Sequence, residues 1–549
     1  MATMKIFSGN IVDPISKEIF KGEILVENEK ISRIEKKDVP CNHYIIPGFV
    51  NAHVHIESSM LAPSEFARLA VRHGSVGAVC DPHEIANVLG VDGVNFMVNN
   101  SKSSPFKFFF GVPSCVPATD YETSGARIGP DDIDKMFATG NFHFLAEMMN
   151  FPGVISQDKR VMQKLAIARK HGKKIDGHAP GLRGKDMVKY FGAGISTDHE
   201  CSSYEEALDK IQKANVKILI REGSAAKDLD ALHKLIDLYP DNVMLCTDDT
   251  HPDDLVKGHL NQVVKKCLGN GLNLFNVLRA VTVNPIKHYN LNVGLLQVDD
   301  AADFVVIDSF DEFNVLQTVI DGNVVFDQGE VKIKTQPVVP VNKFNRLHVS
   351  IADLEVASTI TNASIRVIEA YDGELFTGMV KCTPKIENGK IVANVDNDIL
   401  KIAVVNRYSP QTKPTVGFIK NFGLKSGAMA SSVAHDSHNI VAVGANDHDL
   451  LKAINKVIEN KGGLAVCNGS ESHDLTLEIA GLMTSSGGET VSCQYELLDK
   501  RAKELGSKLK APFMTLSFMA LLVIPRFKIG DRFLFDGQNF TRVSLEVID

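Results

Sequence analysis

His53 and His55 lie two residues apart at the end of the apolar run IIPGFVNAHVH. Side chains two apart on a β-strand point to the same side. Two imidazoles then face one point, an arrangement that suits a divalent metal. A single His-x-His pair is common by chance, and alone it fits buried, hydrogen-bonded histidines equally well. Other ligand types follow at the ends of later apolar runs: Glu147 in FHFLAEMMN, His178 in KKIDGHAP, His199 in ISTDHE and Asp248 in NVMLCTDD. Four histidines and two carboxylates in this order predict a two-metal site. A carboxylate between two cations offsets their repulsion. Two cations about 3.5–4 Å apart can share a hydroxide and lower the pKa of its parent water.

The elements that must position these residues are legible as a rhythm. Eight short apolar runs, from YIIPGFVNAHVH through SVGAVCDPHE and FKFFFGVPSCV to NVMLCTDD, alternate with helical patterns. That alternation predicts a TIM (β/α)8 barrel over residues 48–287, about 240 residues, which is a typical size. Barrel chemistry sits at the C-terminal strand ends, where most of these runs place His, Glu, Asp or Arg. Alternating segments in KIFSGNIVD, EIFKGEILVEN and KISRIEK return in ADFVVIDSF and NVLQTVIDGNVVFDQGEV, so residues 1–47 and 288–335 form a small split β-sandwich domain. After the Pro/Val stretch QPVVPVN, residues 336–549 read as an additional C-terminal α/β domain. The fold class is therefore α/β.

Composition narrows the function. A hydrophobic fraction of 44% and a charged fraction of 23% are ordinary for a folded soluble protein. No apolar run approaches about 20 residues, so no membrane span is expected. The start MATMKIFSGN lacks the pattern of a secretory signal, and nine scattered cysteines without a CxxC pair suit a reducing cytoplasm. With a net charge of -8 and no basic tract, nucleic acid is not an expected partner.

His-x-His followed by Glu, His, His and Asp at strands one, four, five, six and eight resembles the amidohydrolase superfamily. Within it, the strings PGFVNAHVHIESSML, DPHEIANV, FLAEMMNFPGV, DGHAPGL, STDHE and TDDTHPDDL are similar to the adenine deaminases that act on the free base. The likeness runs through essentially the whole chain. It implies His53 and His55 on one metal, His178 and His199 on the other, and Glu147 bridging in the place where many relatives carry a carboxylated lysine. It implies Asp248 as metal ligand and proton acceptor, with Asp249 its near rival. It also implies Mn2+, with Fe2+ or Zn2+ as alternatives, and adenine as the small-molecule substrate of hydrolysis to hypoxanthine and ammonia. A homo-oligomer, such as a dimer, is expected.

That reaction needs an acid at N1 of the purine, because otherwise the tetrahedral intermediate keeps a costly charge. Glu84 and Glu222 are candidates, and His83 has similar standing. All three fit ordinary salt bridges or hydrogen bonds as well. Arg221 either holds a carboxylate or covers the barrel rim. In the C-terminal domain, His435, Asp436 and His438 precede the apolar run IVAVG and are candidates for substrate binding, a lid or metal binding. A solvated polar turn is the plainer reading there. Two rival functions are an amide-hydrolysing deacetylase of the same superfamily and a metal-free barrel scaffold, the latter disfavoured because every expected ligand is present.

Overall fold

Residues 4–359 and 364–547 are described by the computed structural model. The first three residues of the N-terminal stretch considered above lie outside that range. The chain divides into two compact units: Met1–Pro82, Met97–Ser114 and Gly129–Val338 form one, and His83–Phe96, Cys115–Ile128 and Val339–Asp549 form the other.

The first unit begins with strands β1 (Lys5–Asp13), β2 (Glu18–Glu27), β3 (Lys30–Lys36) and β4 (Tyr44–Pro47). The chain then enters β5 (Phe49–His55), β6 (Ser75–Cys80), β7 (Lys107–Val112), β8 (Phe144–Met148), β9 (Lys174–Gly177), β10 (Thr197–Asp198), β11 (Lys217–Arg221), β12 (Val243–Cys246) and β13 (Asp248–Asp249). It returns through β14 (Phe304–Ile307), β15 (Val315–Ile320), β16 (Asn323–Asp327) and β17 (Glu330–Val331). The early and late strands join in one eight-stranded sheet, ordered β17-β16-β15-β14-β4-β1-β2-β3, over a core that includes Ile24, Ile31, Ile45, Phe304 and Val319.

The eight expected runs of the α/β region are all strands, and their pairings are parallel. One sheet runs β13-β5-β6-β7-β8-β9 and another β10-β11-β12. Only Thr247 separates β12 from β13, which pairs back with β5 and so links the last strand to the first. This is the parallel, barrel-type sheet of a TIM-like fold. Residues of β5 are buried throughout, as expected where a parallel strand is covered on both faces. The Asn51 amide group strengthens that seam. It donates to Thr247 Oγ1 (2.7 Å) and to His259 Nε2 (3.1 Å), and its oxygen accepts from the Thr247 amide (3.1 Å).

The second unit is built on a mixed sheet whose central strands are Ile399–Val405 and Ile440–Gly444. The helix Asp447–Glu459 packs on it through Leu450, Ala453, Ile454 and Val457, closing a core with Ala403, Ala430 and Ala442. The helical segment His83–Leu89, which directly follows Asp81-Pro82, belongs to this unit.

Candidate metal centre

Within the first unit, the C-terminal ends of the parallel strands gather the six sequence-derived ligands. His53 and His55 are two apart on β5, with their Nε2 atoms 3.2 Å from each other. Asp248 Oδ1 lies 3.3 Å from His53 Nε2 and 3.2 Å from His55 Nε2. Three donor atoms at such spacings suit a cation about 2.0–2.2 Å from each. Glu147, on β8, spans the rest. Its Oε1 is 3.7 Å from His55 Nε2, and its Oε2 is 2.9 Å from both His178 Nδ1 and His199 Nε2. The carboxylate thus turns one oxygen toward each histidine pair. The His53 and His199 rings stack at 4.2 Å.

The electrostatics fit a divalent cation. Burial alone would raise the Glu147 carboxyl, but His178 and His199 hold it well below the usual carboxylate range. Burial likewise opposes ionisation of Asp248, and His53 and His55 overcome it. Burial would lower His199, yet Glu147, Glu200 and Asp248 push it well above its ordinary value. This buried carboxylate cluster therefore demands positive charge, which a metal can provide in place of protons. His53 Nδ1 is buried with no hydrogen-bond partner among the described residues. The set of imidazole and carboxylate donors suits Mn, Fe or Zn.

Arg221, a candidate from the sequence, completes the surroundings together with Glu200, Asp81 and Gly223, which were not singled out there. Glu200, next to His199 in STDHE, lies 3.4 Å from His199 Nε2 and 3.6 Å from His178 Nδ1. Burial opposes its charge, but Arg221 and His178 bring its pKa down to about 2. Arg221, at the end of β11, ties the wall together. Its Nη1 donates to Glu200 Oε1 (2.5 Å) and Asp248 Oδ2 (3.2 Å), and its Nε donates to Asp228 (2.9 Å). Asp81 anchors two ligands, its carbonyl 3.0 Å from His55 Nδ1 and its Oδ2 accepting the Glu147 amide at 3.2 Å. Gly223 is needed just beyond Arg221, because a Cβ there would meet Thr247 O at 1.9 Å.

The other candidates separate. The Asp249 carboxylate accepts from Ser58 Oγ, whereas Asp248 faces the histidines. Glu222 pairs with Lys266 (2.9 Å) and lines a cavity of about 540 Å³ with Lys227, Thr250, Asp254 and His259. It does not join the six ligands. In the second unit, Glu84, His435 and His438 come together, with His83 Nε2 3.6 Å from Glu84 Oε1 and 3.9 Å from Asp436 Oδ1. The turn carrying His435, Asp436 and His438 is buried, not solvated.

The amidohydrolase family matches residues 44–325, and the adenine deaminase C-terminal domain family matches residues 374–541. An adenine deaminase from Methanosarcina mazei is 53% identical over 99% of each chain. The chain belongs to the adenine deaminase family. Relatives of the same name in Methanosarcina barkeri (50% identical, 99% of each chain) and in Sulfurovum sp. (51%, 97% of this chain and 98% of that one) show the same full-length likeness. Both matched regions of the family are thus present in one chain. No helix among the described residues is long and apolar enough to cross a membrane.

Proposed function

We propose that His53, His55, Glu147, His178, His199 and Asp248 hold two divalent cations, Mn2+ before Fe2+ or Zn2+, and that the centre hydrolyses adenine to hypoxanthine and ammonia. His53 and His55 would hold one cation and His178 and His199 the other, with the Glu147 carboxylate, which faces both histidine sets, contributing to each. The observation that carries this reading is the placement of two carboxylates: Glu147 faces His55 together with His178 and His199 from later strand ends, and Asp248 faces both histidines of β5. Full-length likeness to proteins named adenine deaminase supports the substrate. The nine free thiols support a reducing, cytoplasmic setting.

Bound divalent cations supply Lewis acidity and lower the pKa of water toward neutrality. The chain's own groups do the rest. Ionised Asp248 takes a proton from the attacking water and passes it to the departing amine, since a carboxylate that is charged at rest can accept one. Arg221 holds Asp248 Oδ2 and so fixes the direction in which its carboxylate is presented. A proton must also reach N1 of the ring.

The reading is tested by removing metal with a chelator and reconstituting with Mn2+, Fe2+ or Zn2+, with ammonia release from adenine and adenosine and acetate release from N-acetyl sugars as readout. Activity should disappear, return with about two ions per chain, and favour adenine. Full activity without metal, or preferential hydrolysis of an N-acetyl sugar, would overturn it.

A further inference from the structure

We propose that Glu200 is a further ligand of the metal centre, and that its Oε1 completes the shell of the cation held by His178 and His199. The inference rests on the two-cation reading above and adds to it a residue outside the order His-x-His, Glu, His, His, Asp.

Glu200 directly follows His199. Neighbouring side chains on a continuing strand point to opposite faces, so the two could not meet at one point if β10 ran on. β10 stops at Asp198, and the Asp198 carboxylate turns the chain there. Its Oδ1 accepts the Glu200 amide at 3.2 Å and the Ala179 amide at 3.2 Å. Ala179 follows His178, so one oxygen ties the backbone beside both histidines. Asp198 is itself fixed by Lys210 Nζ at 2.6 Å, and neither side chain is exposed.

The resulting distances have the form of a coordination shell. Glu200 Oε1 lies 3.4 Å from His199 Nε2 and 3.6 Å from His178 Nδ1. Glu147 Oε2 lies 2.9 Å from each of the same two nitrogens. Donors about 2.0–2.2 Å from a tetrahedral cation stand about 3.3–3.6 Å apart. His178, His199 and Glu200 thus offer one donor atom each to a common point.

A plain salt bridge does not account for this arrangement. Arg221 Nη1 donates to Glu200 Oε1 at 2.5 Å, but Arg221 also holds Asp248 Oδ2 at 3.2 Å and Asp228 Oδ2 at 2.9 Å. Three carboxylates around one guanidinium leave negative charge to be matched. From the other side, Glu147 and Asp248 offset only half the charge of two divalent cations. A third carboxylate brings the buried centre closer to neutrality, where uncompensated charge is costly. A carboxylate oxygen has two lone pairs, so Oε1 can accept from Arg221 with one and face a cation with the other. Arg221 then orients this ligand from behind, as partners of metal ligands commonly do.

The test uses the full chain loaded with Mn2+ and reads the metal rather than turnover. In crystals of the loaded wild type, anomalous scattering should show two ions, with Glu200 Oε1 about 2.0–2.2 Å from the one at His178 and His199. Glu200→Gln keeps an oxygen toward Arg221 but removes the charge. Competition with a chelator should show that ion bound more than about 100-fold more weakly, beyond the 10–100-fold typical of losing an outer partner. The anomalous peak at His178 and His199 should fade in this variant while the peak at His53 and His55 stays. Asp228→Asn removes the acceptor of Arg221 Nε and should keep both ions. If Glu200→Gln does not fold, the distance in the wild type decides alone. A wild type that binds fewer than two ions at these residues sinks the two-cation reading itself. Two bound ions with Glu200 Oε1 more than about 3 Å from both, well beyond a ligand distance, overturn this proposal alone. So does an undiminished second ion in Glu200→Gln, or an equal loss in Asp228→Asn.

Discussion

Asp248 sits where two demands meet: Oδ1 faces His53 and His55, while Oδ2 faces Arg221. Asn at 248 keeps the shape and removes the capacity to take up a proton. Asp248→Asn should therefore lower kcat about 10²–10⁴-fold, by more than any loss of bound metal explains. Asp249→Asn should be milder, since that carboxylate accepts from Ser58. Steady-state kinetics with metal analysis on both variants checks the order, and the reverse severity would move the role to Asp249. The ligand types were legible because each closes an apolar run, and His-x-His carries the strand period in its spacing. Glu200, Asp81 and Asn51 were not singled out. Each lies inside or beside a quoted motif, but its role depends on partners far along the chain, such as Asn51 with Thr247 and His259.

At the scale of elements, short strands are held in place by buried charge. β10 has only two residues, and the helix Tyr204–Ala214 braces it through Lys210. Lys210 Nζ donates to Asp198 (2.6 Å), Glu206 (2.6 Å) and the Ala179 carbonyl (2.8 Å), with no exposure of its side chain. Removing one partner of such a group strands the others, at about 3–5 kcal/mol. Lys210→Met should lose that much stability by denaturant unfolding; a loss under about 1 kcal/mol would refute the bracing role. Lys528, in the strand Phe527–Ile529, is the opposite case. It is fully buried and donates to the Leu375 and Phe518 carbonyls, and burial brings its pKa down to about 7. The unfolded chain takes up its proton below about 10.4, the folded chain only below about 7. In the window between, the unfolded state binds more protons, so stability rises with pH and is lowest below 7. Thermal unfolding from pH 7 to 10 should show this slope in the wild type and a flatter one in Lys528→Met. Equal slopes would place the proton elsewhere. Neither lysine was legible, because burial of a charged residue leaves no mark in local periodicity. The eight strand runs were legible because parallel strands covered on both faces read as continuous apolar stretches.

At the scale of the molecule, the chain passes from one compact unit to the other five times, at 82/83, 96/97, 114/115, 128/129 and 338/339. Only the last of these was marked in the sequence, by the Pro/Val stretch near residue 336. The four earlier passages follow β6 and β7, where the rhythm of strand and helix continues without a break in composition. The inserted segments 83–96 and 115–128 are strongly apolar on their buried faces: Ile85, Val88 and Val94 are fully buried, and Val116 and Ile128 nearly so. Polar atoms are committed as well. Asn439 Nδ2 donates to the Thr123 carbonyl (2.9 Å), the Thr123 amide to Asp531 Oδ1 (2.9 Å), and the Glu84 carboxylate accepts from His435 and His438. Cutting the chain after residue 338 would therefore not release a self-sufficient barrel. It would leave a buried carboxylate without its donors and apolar side chains without their cover, at about 1.5–3 kcal/mol for each large one exposed. The fragment 1–338 should express as aggregate or bind a dye for exposed apolar surface, although it contains all six proposed metal ligands. Adding a separately made 339–549 fragment should raise its soluble yield. A monodisperse 1–338 fragment with a cooperative thermal transition would show instead that the inserted segments fold with the strands they follow, and that the second unit is dispensable for folding the first.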